Sequence, residues 1–323
     1  MKTISIGIMG CSEFAGRAMI PAMAEIPEIE IKGIASRNLE KAEIFASRFN
    51  TNAYEGYEKL LSNNNIDAIY MPLPVGLHGE WITRTLEAGK HILVEKSFAP
   101  DLLTAEQLTE FARSKNLLII ENFLFPHHSQ SKWITDKLNE GVLGEVKLFR
   151  SNFSIPKLSP GNIRYNSSLG GGALLDLGAY LVKFARYFLG NKLEMIGATL
   201  EYDSDTEVDM AGTAAFTNRR GKVAQVAFNL DSYYQNNWEF IGSKGKMVTQ
   251  RAYTPPPGFA PTVRIEQQNH REEFILKADN HYVNKLRFFV REILKQNDFT
   301  PHWSELTQQA YYIDMIKKGA YRS

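Results

Sequence analysis

Apolar positions in the first 120 residues come in short runs separated by longer amphipathic stretches. The runs at 4–9 ("ISIGIM"), 30–36 ("EIKGIAS"), 68–71, 92–94 and 117–120 predict buried strands. Stretches 15–24, 81–88 and 102–115 carry helical spacing, and "NLEKAEIFASRF" does so from an Asn38 cap. Fully apolar strands alternating with helices imply a parallel sheet with right-handed crossovers. Strand ends rich in Gly or Pro, "MPLPVG" and "EKSFAP", are where such a sheet places ligands.

Beyond about Leu143 the pattern changes. "GEVKLFRSNFSI" alternates like a half-buried strand, and a glycine run leads into a helix across 169–190. Strand patterns at 194–202, 211–217, 223–230, 237–241 and 263–267 follow without helices between them, which predicts an open, mostly antiparallel sheet on a helix layer. The proline-rich segment 254–261 must be a loop, and helices are expected at 283–295 and 304–317. The chain therefore reads as an α/β Rossmann domain over 1–122 and an α+β domain over 123–323, with the C-terminal helices packing back on the first.

Composition narrows the function classes. With 323 residues, two domains are expected; a net charge of +1 gives no field for nucleic acid or anionic lipid. One cysteine, Cys11, excludes a disulfide framework and a cysteine-rich zinc site. The opening residues run straight into a strand with no signal-peptide pattern, and no apolar stretch reaches the ~18 residues of a membrane span. A soluble cytoplasmic protein, without nucleic-acid, membrane or metal partners, is expected.

The segment "GIMGCSEFAGRAMIPA" nearly spells the dinucleotide fingerprint. Gly10 supplies the tight turn and Ala15 allows close helix packing, while Ser12 stands where the second glycine belongs, with a hydroxyl able to donate to a phosphate. The second strand ends in Ser36 and Arg37 with no acid, and a guanidinium suits a 2′-phosphate, so NADP(H) is favoured over NAD(H). "GKHILVEKSFAP" puts Glu95 and Lys96 at a strand's carboxyl end. Asp176 and Tyr180 fall four apart behind the glycine run, and a phenol near an ammonium is a competent proton donor.

In order and spacing, "GIMGC", "MPLPVGLHGEW", "EAGKHILVEKSFA", "LGEV" and "GGGALLDLGAYLV" resemble the glucose-fructose oxidoreductase, inositol dehydrogenase and MocA family over nearly the whole chain. The resemblance implies hydride transfer between a nicotinamide and a sugar or polyol carbon, with Lys96, Asp176 and Tyr180 as catalytic residues. Tyr180 replaces the family's histidine, as in a branch resembling dihydrodiol and xylose dehydrogenases and nucleotide-sugar 3-ketoreductases. Cofactor contacts are expected from Gly10, Cys11, Ser12, Phe14, Ala15, Ser36, Arg37, Pro72, Leu73, His78, Glu95 and Lys96. Substrate contacts are expected from Asn122, Phe125, His127, Arg164, Tyr165 and Tyr180. "ENFLFPHHSQ" looks most like the 3-ketoreductases of deoxysugar pathways, which reduce a 3-keto nucleotide sugar with NADPH. The alternatives are a dehydrogenase of a free sugar or trans-dihydrodiol, and an NADP(H)-binding sensor or scaffold without turnover. The family's proline after the lysine is Ser97 here, so an ordinary trans peptide is expected, since a cis bond before a non-proline costs ~2.5–4 kcal/mol. The family's open sheet implies a homodimer or homotetramer.

Other signals recede. His127 and His128 are adjacent and diverge, which argues against a two-histidine metal site. His78 lies after a strand end, at the cofactor edge or on a helix surface. "GSKGKM" is a hairpin turn, not a P-loop, and Tyr233, Tyr234 and Trp238 read as sheet-face packing or an oligomer surface.

Overall fold

The computed structural model describes residues 2–295 and 298–322, which form two compact units. The first takes Met1–Asn122 and Tyr282–Ala310, the second Phe123–His281 and Tyr311–Ser323. In the first, strands β1 (Ile4–Met9), β2 (Ile29–Ser36), β3 (Asn52–Glu55), β4 (Ala68–Met71), β5 (His91–Val94) and β6 (Ile119–Glu121) make one parallel sheet. Its order is β3-β2-β1-β4-β5-β6. Ile6, Ile8, Ile69, Tyr70, Ile92 and Leu93 are all 0% exposed, the double-sided burial that their unbroken apolar runs foretell. The strand order reverses between β1 and β4, and a ligand crevice opens outside the carboxyl ends of strands at such a switch. Strand β3 has no sequence signal: "NAYE" is half-exposed and lacks an apolar run.

A π-helical turn, Ala15–Met19, runs into α1 (Ile20–Ala24), and α2 (Leu39–Arg48) is capped by the Asn38 side chain accepting from the Lys41 amide. Helices α3 (Tyr57–Leu61), α4 (His78–Glu87) and α5 (Leu102–Lys115) complete the crossovers. Asp101 caps α5, and Asn116 ends it in the left-handed conformation.

The second unit holds α6 (Ser129–Asn139), which the sequence reading left unassigned, and α7 (Ala179–Leu189). Its sheet comprises β7 (Val146–Ser154), β8 (Leu193–Tyr202), β9 (Asp209–Asn218), β10 (Val223–Asn229), β11 (Gln235–Gly242), β12 (Gly245–Gln250), β13 (Thr262–Gln267), β14 (His270–Ile275) and β15 (Tyr321–Arg322). The order is β14-β13-β12-β11-β7-β10-β9-β8-β15, antiparallel except for the β7/β10 and β8/β15 pairs. Helix α7 covers one face, where Phe184 stacks on Trp238 at 5.5 Å and meets Phe240 at 5.9 Å. Trp238 is core, whereas Tyr233, at 83% exposure, lies in a turn and not on a strand. Strands β12 and β14 were not expected; β14 reads "HREEFI", a charged edge of the kind that discourages further pairing.

Helix α8 (His281–Lys295) and the first half of α9 (Thr300–Gly319) belong with the parallel sheet. Trp303 Nε1 donates to the Leu117 carbonyl at 3.0 Å, Lys285 Nζ to the Glu121 carbonyl at 2.9 Å, and Thr307 and Thr109 hydroxyls meet at 3.2 Å.

Candidate active site

The turn after β1 is built for close approach. Gly10 has φ +118°, and a Cβ there would lie 2.9 Å from Leu73 Cδ2, so neither the turn nor its packing admits a side chain. Ser12 Oγ accepts from the Ala15 amide at 3.1 Å. The serine in place of the fingerprint glycine is thus a helix cap, and its hydroxyl proton remains for an outside acceptor. Ala15 is fully buried, and Phe14 is half-buried with its ring 5.9 Å from Tyr282. Burial pushes the Cys11 thiol up, with Lys41 and Ser36 pulling weakly back, which keeps it a neutral loop residue.

At the end of β2, Ser36 is buried and its hydroxyl accepts from the Asn38 amide at 3.3 Å. Arg37 and Lys41 follow it on the surface, and Arg37 has no carboxylate partner among the described residues. An acid-free strand end with two exposed cations fits a ribose 2′-phosphate. The glycine cradle, the capped helix start and this cluster together fit an NADP(H) molecule.

The ends of β4, β5 and β6 converge on Glu95 and Lys96. Tyr70 OH and Asn122 Nδ2 each donate to Glu95 Oε1 at 2.7 Å. Desolvation raises the Glu95 pKa, against the pull of Asn122, Tyr70 and Lys96. The Lys96–Ser97 peptide is cis, contrary to the trans bond expected from the missing proline. Just past it, the Phe98 amide donates to Glu121 Oε1 at 2.8 Å. The Phe98 carbonyl lies 3.1 Å from His78 Nδ1, and His78 Nε2 lies 2.9 Å from the Leu73 carbonyl. His78 was expected at the cofactor edge or on a helix surface. It is instead 0% exposed, spanning the two strand-end loops, with no surface for a ligand. Burial lowers its pKa despite the facing carbonyls. Pro72 and Leu73 are buried parts of the same floor.

In the second unit, Asp176 projects from a π-helical turn, Leu174–Gly178, that continues as α7 and carries Tyr180. π-Turns recur at functional sites because they re-aim side chains within a helix. Arg164 Nε donates to Asp176 Oδ2 at 2.5 Å, with the side chains 35% and 15% exposed. Burial opposes the Arg164 charge, but Asp176, then Tyr180 and Tyr165, more than reverse this and raise its pKa. Tyr165 OH accepts from the Leu158 amide at 3.0 Å, tying down the loop that bears Arg164. The Tyr180 ring is 8% exposed, edge-on to Phe123 (5.3 Å) and Phe153 (5.4 Å). Phe125, expected to touch substrate, is 0% exposed and packs on Trp238 and Tyr253, so it is core. His127 is half-buried, while His128 is buried and caps α6 through Nδ1. No cluster of three metal-ligating side chains occurs among the described residues.

Four residues at these positions were not foreseen: Tyr70, Glu121, Tyr282 and Asp209. Tyr70 lies in the 68–71 run and Glu121 opens "ENFLFPHHSQ", but nothing in the sequence marks an acid as aimed inward. Asp209 accepts from the Leu174 amide at 2.5 Å, a contact spanning 35 residues that no local pattern reveals.

A parallel sheet with this turn and these strand-end residues defines a nicotinamide-dependent oxidoreductase. Residues 4–123 match the oxidoreductase family with NAD-binding Rossmann fold, and 132–248 match the GFO/IDH/MocA C-terminal domain. The chain belongs to the Gfo/Idh/MocA family. It is 42% identical to a dTDP-3,4-didehydro-2,6-dideoxy-alpha-D-glucose 3-reductase of Actinomadura kijaniata, across 98% of this chain and 96% of the relative. A reductase of the same name from Saccharopolyspora spinosa is 40% identical, over 90% of this chain and 88% of its own length. A 3-ketoreductase of Actinomadura kijaniata, solved with NADP and TDP-benzene, superimposes with a TM-score of 0.97 at 41% identity, covering 99% of both chains.

Proposed function

We propose that this protein is an NADPH-dependent ketoreductase acting on the C-3 keto group of a dTDP-linked deoxysugar. The observation that carries it is the combination of Lys96 after β5 with the Asp176 and Tyr180 pair on one helical segment, in a chain 42% identical to one such reductase. The Actinomadura 3-ketoreductase has been solved as a tyrosine-to-phenylalanine variant and as two variants of one lysine. The altered tyrosine follows the altered lysine by 84 positions, as Tyr180 follows Lys96 (180 minus 96).

Bound NADPH supplies the hydride. Tyr180 delivers the proton to the forming alkoxide, and its ring, held among Phe123 and Phe153, has few orientations open to it. Lys96 supplies positive charge that favours phenolate formation and steadies the oxygen. Asp176, fixed by Arg164, orients the proton donor, and the half-buried Arg164 side chain is within the proposed substrate set. Ser12, Ser36 and Arg37 bind the cofactor phosphates. The half-buried His127 and Tyr165 complete the substrate set, whereas Asn122, expected there too, is 1% exposed and supports Glu95 instead.

The test is turnover of dTDP-3,4-didehydro-2,6-dideoxyglucose with NADPH, beside a panel of free aldoses, polyols and dihydrodiols. Reduction of the nucleotide sugar alone, lowered about 100-fold or more by Tyr180→Phe with NADPH affinity intact, is expected. Preference for a free sugar, or wild-type turnover in that variant, defeats the reading. The uncovered sheet face, which presents Thr213, Ala215 and Gln225, is the surface through which a homodimer or tetramer is proposed, in the cytoplasm. A monomeric mass by light scattering rules that out.

A further inference from the structure

Asp209 opens β9 and is 9% exposed. Its Oδ2 accepts from the Leu174 amide at 2.5 Å, the first residue of the π-turn that carries Asp176. Two residues before it, Gly172 has φ +110°, and a Cβ there would collide with Asp209 Oδ1. The Gly172 amide donates to the Arg164 carbonyl at 2.9 Å, and the Asp176 amide to the Gly172 carbonyl at 3.2 Å. The glycine run therefore does two things at once: it lets the Arg164 loop lie on the helix start, and it makes room for a carboxylate at that helix's amino end. A negative charge there is favoured by the unpaired amides and the helix dipole.

We infer that Asp209 is a positioning residue of the reaction: its charged carboxylate holds the first turn of the site helix, and with it Asp176 and Tyr180, in register for proton transfer. The inference rests on the reading of Tyr180 as proton donor. It gives a role to a carboxyl that stands where burial disfavours its charge. Desolvation raises its pKa to about 6, while the amides of Leu174, Asp209 itself and Ala173, and the Lys317 ammonium, pull it back. The groups facing it are Lys317 from α9 and Tyr202 from β8, which has Arg322 over its ring. The facing stretch of β10, Ala227–Asn229, carries no ionisable side chain. Asp176 is engaged by Arg164.

The experiment measures kcat against pH at saturating NADPH and dTDP-sugar for the wild type, Asp209→Asn and Tyr180→Phe, with NADPH affinity by fluorescence. Wild-type kcat is expected to fall along a one-proton limb centred near pH 6. Asp209→Asn is expected to lose that limb and to turn over about tenfold more slowly at pH 8, the rate equivalent of weakening a charge-assisted hydrogen bond, with NADPH affinity unchanged. A wild-type profile flat down to pH 5 overturns the inference without any variant. So does an Asp209→Asn enzyme that keeps the limb while Tyr180→Phe is impaired. Full activity of Tyr180→Phe instead removes the reading of Tyr180, and the inference falls with it.

Discussion

The amide of Phe98 donates to Oε1 of Glu121 at 2.8 Å, joining the loop after β5 to the end of β6 two residues beyond Lys96. Glu121 is 7% exposed and its own carbonyl is held by Lys285. Replacing it with alanine leaves a buried amide without an acceptor, a cost of about 1–3 kcal/mol. Urea denaturation of Glu121→Ala is expected to show that loss, and its kcat to fall more than its NADPH affinity, because Lys96 shares the loop. Glu121→Gln keeps an acceptor oxygen and is expected to restore most of both. Equal behaviour of the two variants would refute the clamp.

The Ser12 cap separates two explanations for the departure from the glycine fingerprint. Because Ser12 Oγ accepts from the Ala15 amide, Ser12→Ala is expected to destabilise by about 0.5–2 kcal/mol, and Ser12→Gly by only a few tenths. Thermal melts without cofactor read this directly. If alanine is as stable as serine, the hydroxyl serves the ligand and not the helix.

Cofactor choice is expected to turn on the end of β2. Arg37→Ala removes an exposed guanidinium with no carboxylate partner among the described residues, so folding is little affected. The ratio of NADPH to NADH affinity is expected to drop at least about tenfold, or about 1.4 kcal/mol. Adding Ser36→Asp is expected to reverse the preference, because an acid there accepts from a free ribose hydroxyl and repels a 2′-phosphate. Titration of each variant with both cofactors checks it; an unchanged ratio removes Arg37 from the phosphate site.

Strands that are apolar throughout, such as Ala68–Met71, and motifs confined to one strand end, such as Glu95–Lys96, are legible because their signal is local. Strand β14 was missed because a protected edge strand must avoid the apolar alternation that marks strands. His78 and Phe125 were misplaced for a related reason. A polar or aromatic residue beside a motif looks the same in sequence whether it faces a ligand or supports the backbone behind it. Asp209 was invisible because its partner, Leu174, is a backbone amide on a different element, and a main-chain contact leaves no trace in side-chain pattern.

His91 and His281 on one side and Asp209 on the other set opposing pH dependences on stability. Burial holds His91 down at about 4, while burial and the neighbouring His128 hold His281 down at about 3. An unfolded histidine titrates near 6.5, so these two contribute stability that is full above pH 6.5 and lost as pH falls through 4 and then 3. Asp209 runs the other way. Its folded pKa of about 6 lies above the unfolded value of 3.8, so its contribution is most favourable below 3.8 and is lost as pH rises through 6. Both histidine shifts exceed that of Asp209, so the balance of these three groups is a loss of stability on acidification between pH 6.5 and 4.5. Asn in place of His91 keeps an acceptor for the Leu118 amide, which now bonds Nδ1 at 3.0 Å, but cannot be protonated there. His91→Asn is therefore expected to flatten the acid slope, by at most about 3 kcal/mol over the whole range. Asp209→Asn removes the opposing contribution and is expected to steepen it. Urea midpoints at pH 4.5, 5.5, 6.5 and 7.5 decide the matter: variants that shift the slope in the same direction would contradict the assignment of these groups.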